Sequence, residues 1–298
     1  MENNKIKRVW AVYFSPTGTT KKVVCAIADG IARQLVAGAE TGAGSGAEVG
    51  AGSGAEAGAA ERMDFDFTPP GARQEAFCLG PEDLAVFGAP VYAGRVPNVL
   101  LKYLATVRGG GGPAVPVVLF GNRNYDDALI ELRDILADAG FCIPAAAAFV
   151  GEHSFSRVLG AGRPDERDMA LAREFALAAA DKLAEGASSE PVFVKGTPRP
   201  YRGYYQPRDR KGNPVDIRKV KPLTGPECND CGLCARICPM GSISPENVRE
   251  FTGICIKCGA CIKGCPKGAK YYDDHGYLYH QHELEEGYTR RAEPELFF

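Results

Sequence analysis

The chain has 298 residues, of which 45% are hydrophobic and 24% charged, and its formal net charge is −2. A chain of this length and composition can bury a sizeable core, and we expect one domain of ordinary size and a small one. No apolar run approaches the ~18 residues of a membrane span, and the start of the chain lacks the apolar stretch of a secretory signal. We therefore expect a cytoplasmic protein without a membrane span.

The first 186 residues alternate short apolar segments with amphipathic ones. The apolar segments predict five strands, at 9–14, 62–67, 83–91, 114–121 and 145–151. The amphipathic segments predict four helices, one beginning at Thr19 and the others at 98–107, 126–139 and 166–185. This alternation predicts an α/β fold, a doubly wound five-stranded parallel sheet with any ligand at the carboxyl ends of its strands.

The segment SPTGTT, residues 15–20, joins the first predicted strand to the first predicted helix. Gly18 allows the backbone to turn tightly, and the free N–H groups of a helix start attract anions. Four hydroxyl groups add to these donors, those of Ser15, Thr17, Thr19 and Thr20. The segment matches neither a Walker loop nor G-x-G-x-x-G. It predicts either a phosphate site of another kind or a helix cap rich in Ser and Thr, without a ligand.

This loop resembles the FMN-phosphate loop of flavodoxins, because its residues match the pattern T/S-x-T-G-x-T of that family position by position. The resemblance covers about residues 5–186 and implies a flavodoxin-like fold that binds FMN noncovalently. In flavodoxins, two further loops after the third and fourth strands hold the isoalloxazine ring of FMN. Their counterparts in this sequence are 89–97 and 121–129.

The two ring loops supply the rest of the FMN site that the resemblance implies. Tyr92 and Tyr125 are the candidate aromatic groups for stacking on the ring. Arg95 and Arg123 are candidates for placing positive charge near a reduced, anionic flavin. The other residues assigned to the site are Ala89, Gly94, Gly121 and Asn122.

Two stretches interrupt the pattern of strands and helices. In residues 38–61 the triplet Gly-Ala-Glu recurs without large apolar residues, so we predict a disordered insert over 37–61, in a surface loop before the second strand. Residues 187–222 predict a basic, proline-rich linker, since 195–221 has nine basic residues, two acidic residues and four prolines. The linker is suited to docking of an acidic redox partner protein. Nothing beside it resembles a nucleic-acid-binding fold, so no nucleic acid is expected as a partner.

The cysteines are concentrated in two matching runs, CNDCGLCARICP at 228–239 and CIKCGACIKGCP at 255–266. The runs superpose at an offset of 27 residues, which indicates an internal duplication. In a C-x2-C-x2-C run, three thiolates converge on one iron–sulfur cluster, while the next cysteine, followed by proline, ligates the other cluster. Structural zinc shares the C-x2-C spacing but gives no reason for the third cysteine or the proline.

This spacing predicts two [4Fe-4S] clusters with crossed ligands. The predicted ligands are Cys228, Cys231, Cys234 and Cys265 for the first cluster, and Cys255, Cys258, Cys261 and Cys238 for the second. Residues 223–275 resemble the bacterial two-cluster ferredoxins. Residues 276–298 follow as a polar and aromatic tail to which no role is assigned.

Taken together, the two halves resemble the flavodoxin–ferredoxin fusions of the EFR1 family of anaerobic bacteria and archaea. The resemblance implies an electron transfer protein that passes single electrons between two [4Fe-4S] clusters and FMN. Such a protein would link a low-potential donor to an acceptor in anaerobic metabolism.

Two other functions fit the sequence. A flavin-dependent reductase of a small substrate would need a pocket over the flavin ring and a proton donor such as His153 or Tyr92. A redox sensor or docking module would follow if the front domain held no flavin. No catalytic set of residues stands out, so we expect an electron carrier rather than a substrate-specific enzyme.

Overall fold

The computed structural model describes residues 6–41, 60–186 and 190–298. In chain order, the front part contains β1 (Arg8–Tyr13), α1 (Thr19–Thr41), β2 (Glu61–Asp66), β3 (Asp83–Pro90), α2 (Asn98–Leu104), β4 (Ala114–Phe120), α3 (Ala128–Asp138), β5 (Ala146–Val150) and α4 (Glu166–Ala184). The rear part contains β6 (Leu223–Thr224), α5 (Leu233–Arg236), α6 (Ala260–Lys263), β7 (Lys270–Tyr271), α7 (His275–Gly287) and β8 (Glu295–Phe297). Every strand and helix predicted for the front part is present, with bounds that differ by a few residues.

The strands of the front part form a parallel sheet in the order β2-β1-β3-β4-β5. This is the strand order of flavodoxin-like, doubly wound folds. A sixth strand, β8, pairs antiparallel with β5, and Ala146 lies opposite Phe297. The predicted five-stranded parallel sheet is therefore a six-stranded mixed sheet, because the last residues of the chain cover an edge of β5 that would otherwise be open.

Helices cover both faces of the sheet, with α1 and α4 on one face and α2 and α3 on the other. β1 contributes to both layers, because alternate residues of a strand point to opposite faces. Val9 and Ala11 pack with α1 and α4, whereas Val12 packs with α2 and α3. Among the described residues, none of the helices has the length and apolar composition to cross a membrane. The loops at the carboxyl ends of β1, β3, β4 and β5 meet at one edge of this layered body.

The predicted low-complexity insert falls mostly on residues 42–59, which lie outside the described residues. α1 continues to Thr41 and β2 begins at Glu61, so the predicted bounds of 37 and 61 are too wide at both ends. Alanine and glutamate are strong helix formers, and their presence just after position 36 is enough to extend α1 into the repeat.

The described part of the predicted linker runs along the front part of the molecule instead of crossing open solvent. The N–H group of Val192 donates to the carbonyl group of Ile143 (2.9 Å), and Val194 is buried. The carboxylate of Asp127 accepts hydrogen bonds from the N–H groups of Thr197 and Arg202, both at 2.9 Å. Hydrogen bonds of its backbone therefore fix this segment to the front part, although its composition is typical of a flexible linker.

The rear part repeats one small structural unit. α5 and α6 each have four residues, and each follows a glycine with a left-handed backbone, Gly232 or Gly259. These glycines are 27 positions apart, which is the offset of the sequence duplication. β6 and β7 pair antiparallel beside the two helices. The duplication in the sequence is thus also a duplication in the structure.

The predicted tail forms α7 and a return segment, residues 288–297, that ties the rear part to the front part. The side-chain amide of Asn122 donates to the carbonyl groups of Tyr288 (2.8 Å) and Arg290 (2.7 Å). Its oxygen accepts a hydrogen bond from the N–H group of Ala292 (3.0 Å). One side chain at the end of β4 therefore holds three backbone groups of the return segment, and β8 completes the attachment.

Replacing Asn122 by glycine should lower the free energy of unfolding by about 2–4 kcal/mol, because three hydrogen bonds are lost and polar groups of the return segment are left without partners. Asn122 has a φ of 66°, which glycine adopts without strain, so the variant reports on the hydrogen bonds. Unfolding of the full chain measures the effect. Asn98→Gly, at an exposed position, is the control and should cost less than about 1 kcal/mol. Equal stability of the Asn122→Gly variant and the natural chain would contradict this role.

Candidate functional site

The loop after β1 forms a tight turn that opens α1. Gly18 has a φ of 84°, a left-handed conformation that glycine adopts without strain, and its N–H group donates to the carbonyl group of Ser15 (3.2 Å). The Ser15 hydroxyl accepts a hydrogen bond from the N–H group of Lys21 (2.9 Å). Ser15 therefore serves the turn and the helix start, and it does not line the cleft beside them.

Three threonines of this loop keep their donors free. Within the described part of the chain, neither the hydroxyls nor the N–H groups of Thr17, Thr19 and Thr20 have a hydrogen-bond partner. All three residues line a cleft of about 450 Å³ at the start of the 23-residue helix α1. Hydroxyl and N–H donors at the positive end of a helix suit the oxygens of a phosphate group. The donors present therefore fit the phosphate of FMN.

The cleft lies at the edge of the sheet where ligands of doubly wound folds are found. The loops after β1, β3, β4 and β5 all contribute to its walls, through Thr19, Tyr92, Gly121 and His153 among others. The rear part contributes Cys258. Among the residues predicted to bind FMN, the cleft brings together Thr17, Thr19, Thr20, Tyr92 and Gly121.

The loop after β3 is a tight turn around Tyr92. The N–H groups of Tyr92 and Arg95 donate to each other's carbonyl groups, at 3.0 and 3.1 Å. Burial and the nearby second cysteine set raise the pKa of the Tyr92 phenol well above its ordinary value, so the phenol is neutral. Gly94 lines a wider cavity next to the cleft. Ala89 is buried in the core within β3 and does not line the cleft.

Two residues predicted to contact the flavin instead hold the return segment. Tyr125 is buried in the core, and its hydroxyl donates to the carboxylate of Glu295 in β8 (2.9 Å). Asn122 is buried, and its side chain is committed to the backbone at 288–292. Neither residue lines the cleft. The structure therefore does not bring these two side chains to the cleft where stacking of Tyr125 was predicted.

The two candidate arginines are also engaged within the chain. Arg95 pairs with the buried carboxylate of Glu131 (2.6 Å) and stacks on the rings of Tyr201 and Tyr204 from the linker. Arg123 pairs with Asp126 and lies over the ring of Tyr205, 4.7 Å from its centre. Their positive charges are thus balanced by carboxylates, and their aromatic contacts fasten the linker across the two ring loops.

His153 follows β5, and its ring lies against Gly121 in the wall of the cleft. Burial lowers the pKa of His153 to about 3, helped by the positive charges of Lys263 and Arg123 nearby and by His280. The imidazole is therefore neutral at pH 7. Its Nδ1 accepts a hydrogen bond from the N–H group of Phe155 (3.1 Å), so Nε2 carries the proton. The ring can donate one hydrogen bond from Nε2, but it is not poised as a general acid.

The first predicted set of cysteines surrounds a cavity of about 330 Å³ in the rear part. The four residues are Cys228, Cys231 and Cys234 from the first run and Cys265 from the second. The second set surrounds a separate cavity of about 340 Å³. Its residues are Cys255, Cys258 and Cys261 from the second run and Cys238 from the first. Each cavity thus combines three cysteines of one run with the fourth of the other.

The cysteines of each set border a cavity and do not converge on one point. Within the described residues, no group of three or more His, Cys, Asp or Glu side chains is spaced to hold one metal ion. Tetrahedral zinc would draw four sulfur atoms to about 2.3 Å from one point. Here the four cysteines of each set stand around a cavity instead, which is what a cubane of iron and sulfide requires.

Backbone N–H groups stabilise the two crossed cysteines in the same way. The N–H group of Ser242 donates to Cys238 Sγ (3.4 Å), and that of Ala269 donates to Cys265 Sγ (3.3 Å). Burial alone would raise the pKa of Cys265, but N–H donors from residues 267–270 outweigh it and lower the pKa. At Cys258, burial raises the pKa to about 12. A bound metal centre supplies the positive charge that such a buried thiolate needs.

The second cysteine set lies directly against the cleft. Cys258 lines both its own cavity and the cleft. At Gly259, a Cβ atom would stand 2.5 Å from the carbonyl oxygen of Ser154, so only glycine permits this approach of the two parts. The ammonium group of Lys263 donates to the carboxylate of Glu152 (2.5 Å) and to the carbonyl group of His153 (2.7 Å). These contacts fix the second set beside the loop that follows β5.

Four of the nine basic residues in 195–221 form ion pairs within the chain, and three of these pairs reach residues outside the linker. Lys195 pairs with Glu295 (2.5 Å), and Arg199 pairs with Asp138 (2.6 Å). Arg210 pairs with Glu283 and Glu286 of α7, at 2.8 and 2.5 Å. These ion pairs help to attach the linker to the rest of the molecule.

Comparison with protein families matches residues 227–275 to the 4Fe-4S dicluster domain. No curated protein sequence gives a significant match. Iron–sulfur clusters of this type carry electrons one at a time. The rear part is therefore an iron–sulfur domain of the ferredoxin type, and the chain has a redox role in electron transfer.

Among solved structures, the chain is similar to a flavodoxin from the domain Archaea, with 13% identity and a TM-score of 0.35 over 59% of this chain and 99% of that one. It is similar to the flavodiiron protein from Giardia intestinalis, with 16% identity and a TM-score of 0.37 over 61% of this chain. It is also similar to the rubredoxin oxygen:oxidoreductase from Desulfovibrio gigas, with 13% identity and a TM-score of 0.37 over 62% of this chain. The chain spans 37% and 38% of these last two proteins.

Replacing Gly259 by alanine should loosen the contact between the two parts, because its Cβ atom would displace the Ser154 carbonyl group. Hydrogen–deuterium exchange of residues 151–157 in the full chain should become faster. Gly232→Ala is a matched control: the same turn of the other repeat has a φ of 71°, but its Cβ atom would meet only the flexible end of Arg236. Both alanines cost about 1–2 kcal/mol in backbone strain. Equal exchange at 151–157 in the two variants would contradict the proposed contact.

Proposed function

We propose that this protein is an electron transfer protein of the EFR1 family, in which two [4Fe-4S] clusters exchange single electrons with a bound FMN. The position of Cys258 carries the proposal, because this residue borders both the second cysteine cavity and the cleft at the strand ends. A chain that only carried two independent cofactors would have no need for a shared wall. The shared wall is what a relay between the two sites requires.

The exposure of the cysteines supports an order along the relay. Cys231 of the first set is exposed, whereas Cys258 and Cys261 of the second set are buried. The first set is therefore accessible to redox partner proteins, and the second set faces the interior and the cleft. In the proposed arrangement a low-potential partner exchanges electrons at the first set, and the acceptor is served from the flavin end.

The residues of the cleft support FMN as the ligand. FMN supplies exchange of electrons singly or in pairs, while each cluster carries one at a time. Thr17, Thr19 and Thr20 would hold the phosphate through their free donors. The neutral phenol of Tyr92 and the neutral imidazole of His153 would border the ring without adding charge to the cleft.

Replacing Thr17 and Thr19 together by alanine should weaken FMN binding by about 2–4 kcal/mol, since charge-assisted hydrogen bonds to a phosphate are each worth about 1.5–3 kcal/mol and water replaces part of the loss. The measurement is fluorescence titration of flavin-free protein. Riboflavin, which lacks the phosphate, should bind the natural chain poorly and should not distinguish it from the double variant. Similar binding of FMN and riboflavin would show that the loop is only a helix cap and would remove the flavin from the proposal.

Cys238→Ala should damage the cluster of the second set, and Cys265→Ala should damage that of the first, because each cysteine lies in the cavity of the other run. Iron analysis of anaerobically prepared protein should give about eight iron atoms for the natural chain. Electron paramagnetic resonance of the reduced variants should then show opposite losses. If each substitution removed the cluster of its own run, the crossed ligation would be wrong.

A further inference from the structure

A second, larger cavity opens beside the cleft. It shares Tyr92, Gly121, His153 and Ser154 with the cleft, and its volume is about 630 Å³. Ordinary small-molecule sites measure about 300–1,000 Å³. The cavity therefore has the size of a site for one small molecule.

The outer walls of this cavity come from parts of the chain beyond the α/β body. The linker supplies Tyr204–Pro207 and Val215–Arg218, the iron–sulfur domain supplies Ile254–Lys257, and α7 supplies His280 and Leu284. These segments border the space next to the ring loops. The edge of the sheet is therefore lined on its outer side by other parts of the same chain.

One wall is a fixed aromatic surface. The ring of Tyr205 lies against the guanidinium group of Arg123 (4.7 Å) and stacks on His280, with 6.0 Å between ring centres and an angle of 27°. The N–H group of Tyr205 donates to the carbonyl group of Ala93 (2.8 Å). Phe155 also lines the cavity and packs edge-on against His280. Held rings of this kind favour a flat ligand.

The lining also contains the ammonium group of Lys257, which lies near the Cys255 thiol and the Asp216 carboxylate. Lys257 is 8% exposed, and its ammonium group donates to the carbonyl groups of Arg218 (2.8 Å) and Cys255 (3.0 Å). An ammonium group has three donors, so one is left within the described residues. The other charged residues of the lining are Arg123, Arg218 and Asp216, and each arginine is paired with a carboxylate. Among the Lys, Arg, Asp and Glu side chains of the lining, one positive charge is therefore left over, that of Lys257.

The duplication shows that the cluster loop does not itself require this lysine. At the equivalent position of the first run, 27 residues earlier, stands Asp230, and both residues have a left-handed backbone, with φ of 52° and 55°. Asp230 is exposed and pairs with Arg249. The same loop is thus built with either sign of charge, and the lysine occurs in the copy that faces the cavity.

We infer that the outer cavity binds a small aromatic carboxylate, its ring against Tyr205 and its carboxylate at Lys257. The inference rests on the proposed function, in which the adjoining cleft holds FMN and makes the carboxylate a neighbour of the flavin. Lys257 and Tyr205 are specificity-determining residues in this assignment. One selects the charge of the ligand, and the other selects its planar shape.

The experiment is isothermal titration calorimetry of the full chain with benzoate and cinnamate, after its FMN and iron contents have been measured. Benzamide, of the same shape without the charge, should bind about 10- to 100-fold more weakly than benzoate, as expected for loss of a charged hydrogen bond. Lys257→Asp should abolish binding of the carboxylates while the iron content is kept, because Asp230 shows that the loop accepts this residue. Asp230→Lys is the reciprocal control and should leave binding unchanged.

Tyr205→Ser should weaken both benzoate and benzamide, whereas Tyr271→Ser, at a similarly exposed tyrosine of β7, should weaken neither. FMN binding without binding of any carboxylate would overturn the inference and leave the proposed function standing. Absence of FMN binding would overturn the proposed function, and calorimetry, which needs no flavin, would still decide on the carboxylate site. Equal affinity for benzoate and benzamide, or unchanged binding by Lys257→Asp, would also overturn the inference.

Discussion

The close approach of Gly259 to the Ser154 carbonyl group is the contact on which the rest of the arrangement depends. It occurs at the first turn of α6, directly after Cys258, so the position of the second cysteine set relative to the sheet is fixed there. A side chain at this point would separate the two parts by the size of a methyl group or more. The sequence sets this separation by omitting a side chain at position 259.

Two further segments, the linker and the return segment, attach the rear part to the same edge of the sheet. The linker crosses the ring loops and is held by Asp127 and Arg95. The return segment comes back from α7 to Asn122, Tyr125 and β5. The iron–sulfur domain is therefore tied at both of its ends to the loops that border the cleft. Because both ends of the domain are attached in this way, its association with the front part is intramolecular and costs little additional entropy once the chain has folded.

The sequence predicts those features that are encoded in short segments. The cysteine spacing predicts which four cysteines share a cavity, because the run itself turns one cysteine away from the other three. The alternation of strands and helices predicts the layered sheet, and SPTGTT predicts the donors at the start of α1. Each of these features is decided by residues fewer than about 40 positions apart.

The features that could not be predicted depend on contacts across the length of the chain. Asn122 and Tyr125 form hydrogen bonds with residues of the return segment that lie 166 to 170 positions later. Neither of the two local sequences predicts these contacts. The sequence of a ring loop does not show whether its tyrosine stacks on a ligand or packs in the core. β8 has three residues, too few for a strand pattern to be recognised. The attachment of the linker depends on similar long-range contacts, since Arg199 and Arg210 pair with carboxylates of α3 and α7.

The two copies of the duplicated unit have the same backbone conformation but different surroundings. A comparison of the copies therefore distinguishes the residues that the cysteine sets require from those that depend on the surroundings. Both copies keep the left-handed glycine, the crossed cysteine and an N–H donor to its sulfur. Only the second copy places its loop against the front part, and there the exposed ion pair of Asp230 is replaced by the buried ammonium group of Lys257, beside Cys255 and Asp216. Burying an ammonium group is costly unless opposite charges or hydrogen-bond acceptors surround it. A cost present in one copy and absent from the other belongs to the surroundings of that copy, which are the second cysteine set and the outer cavity.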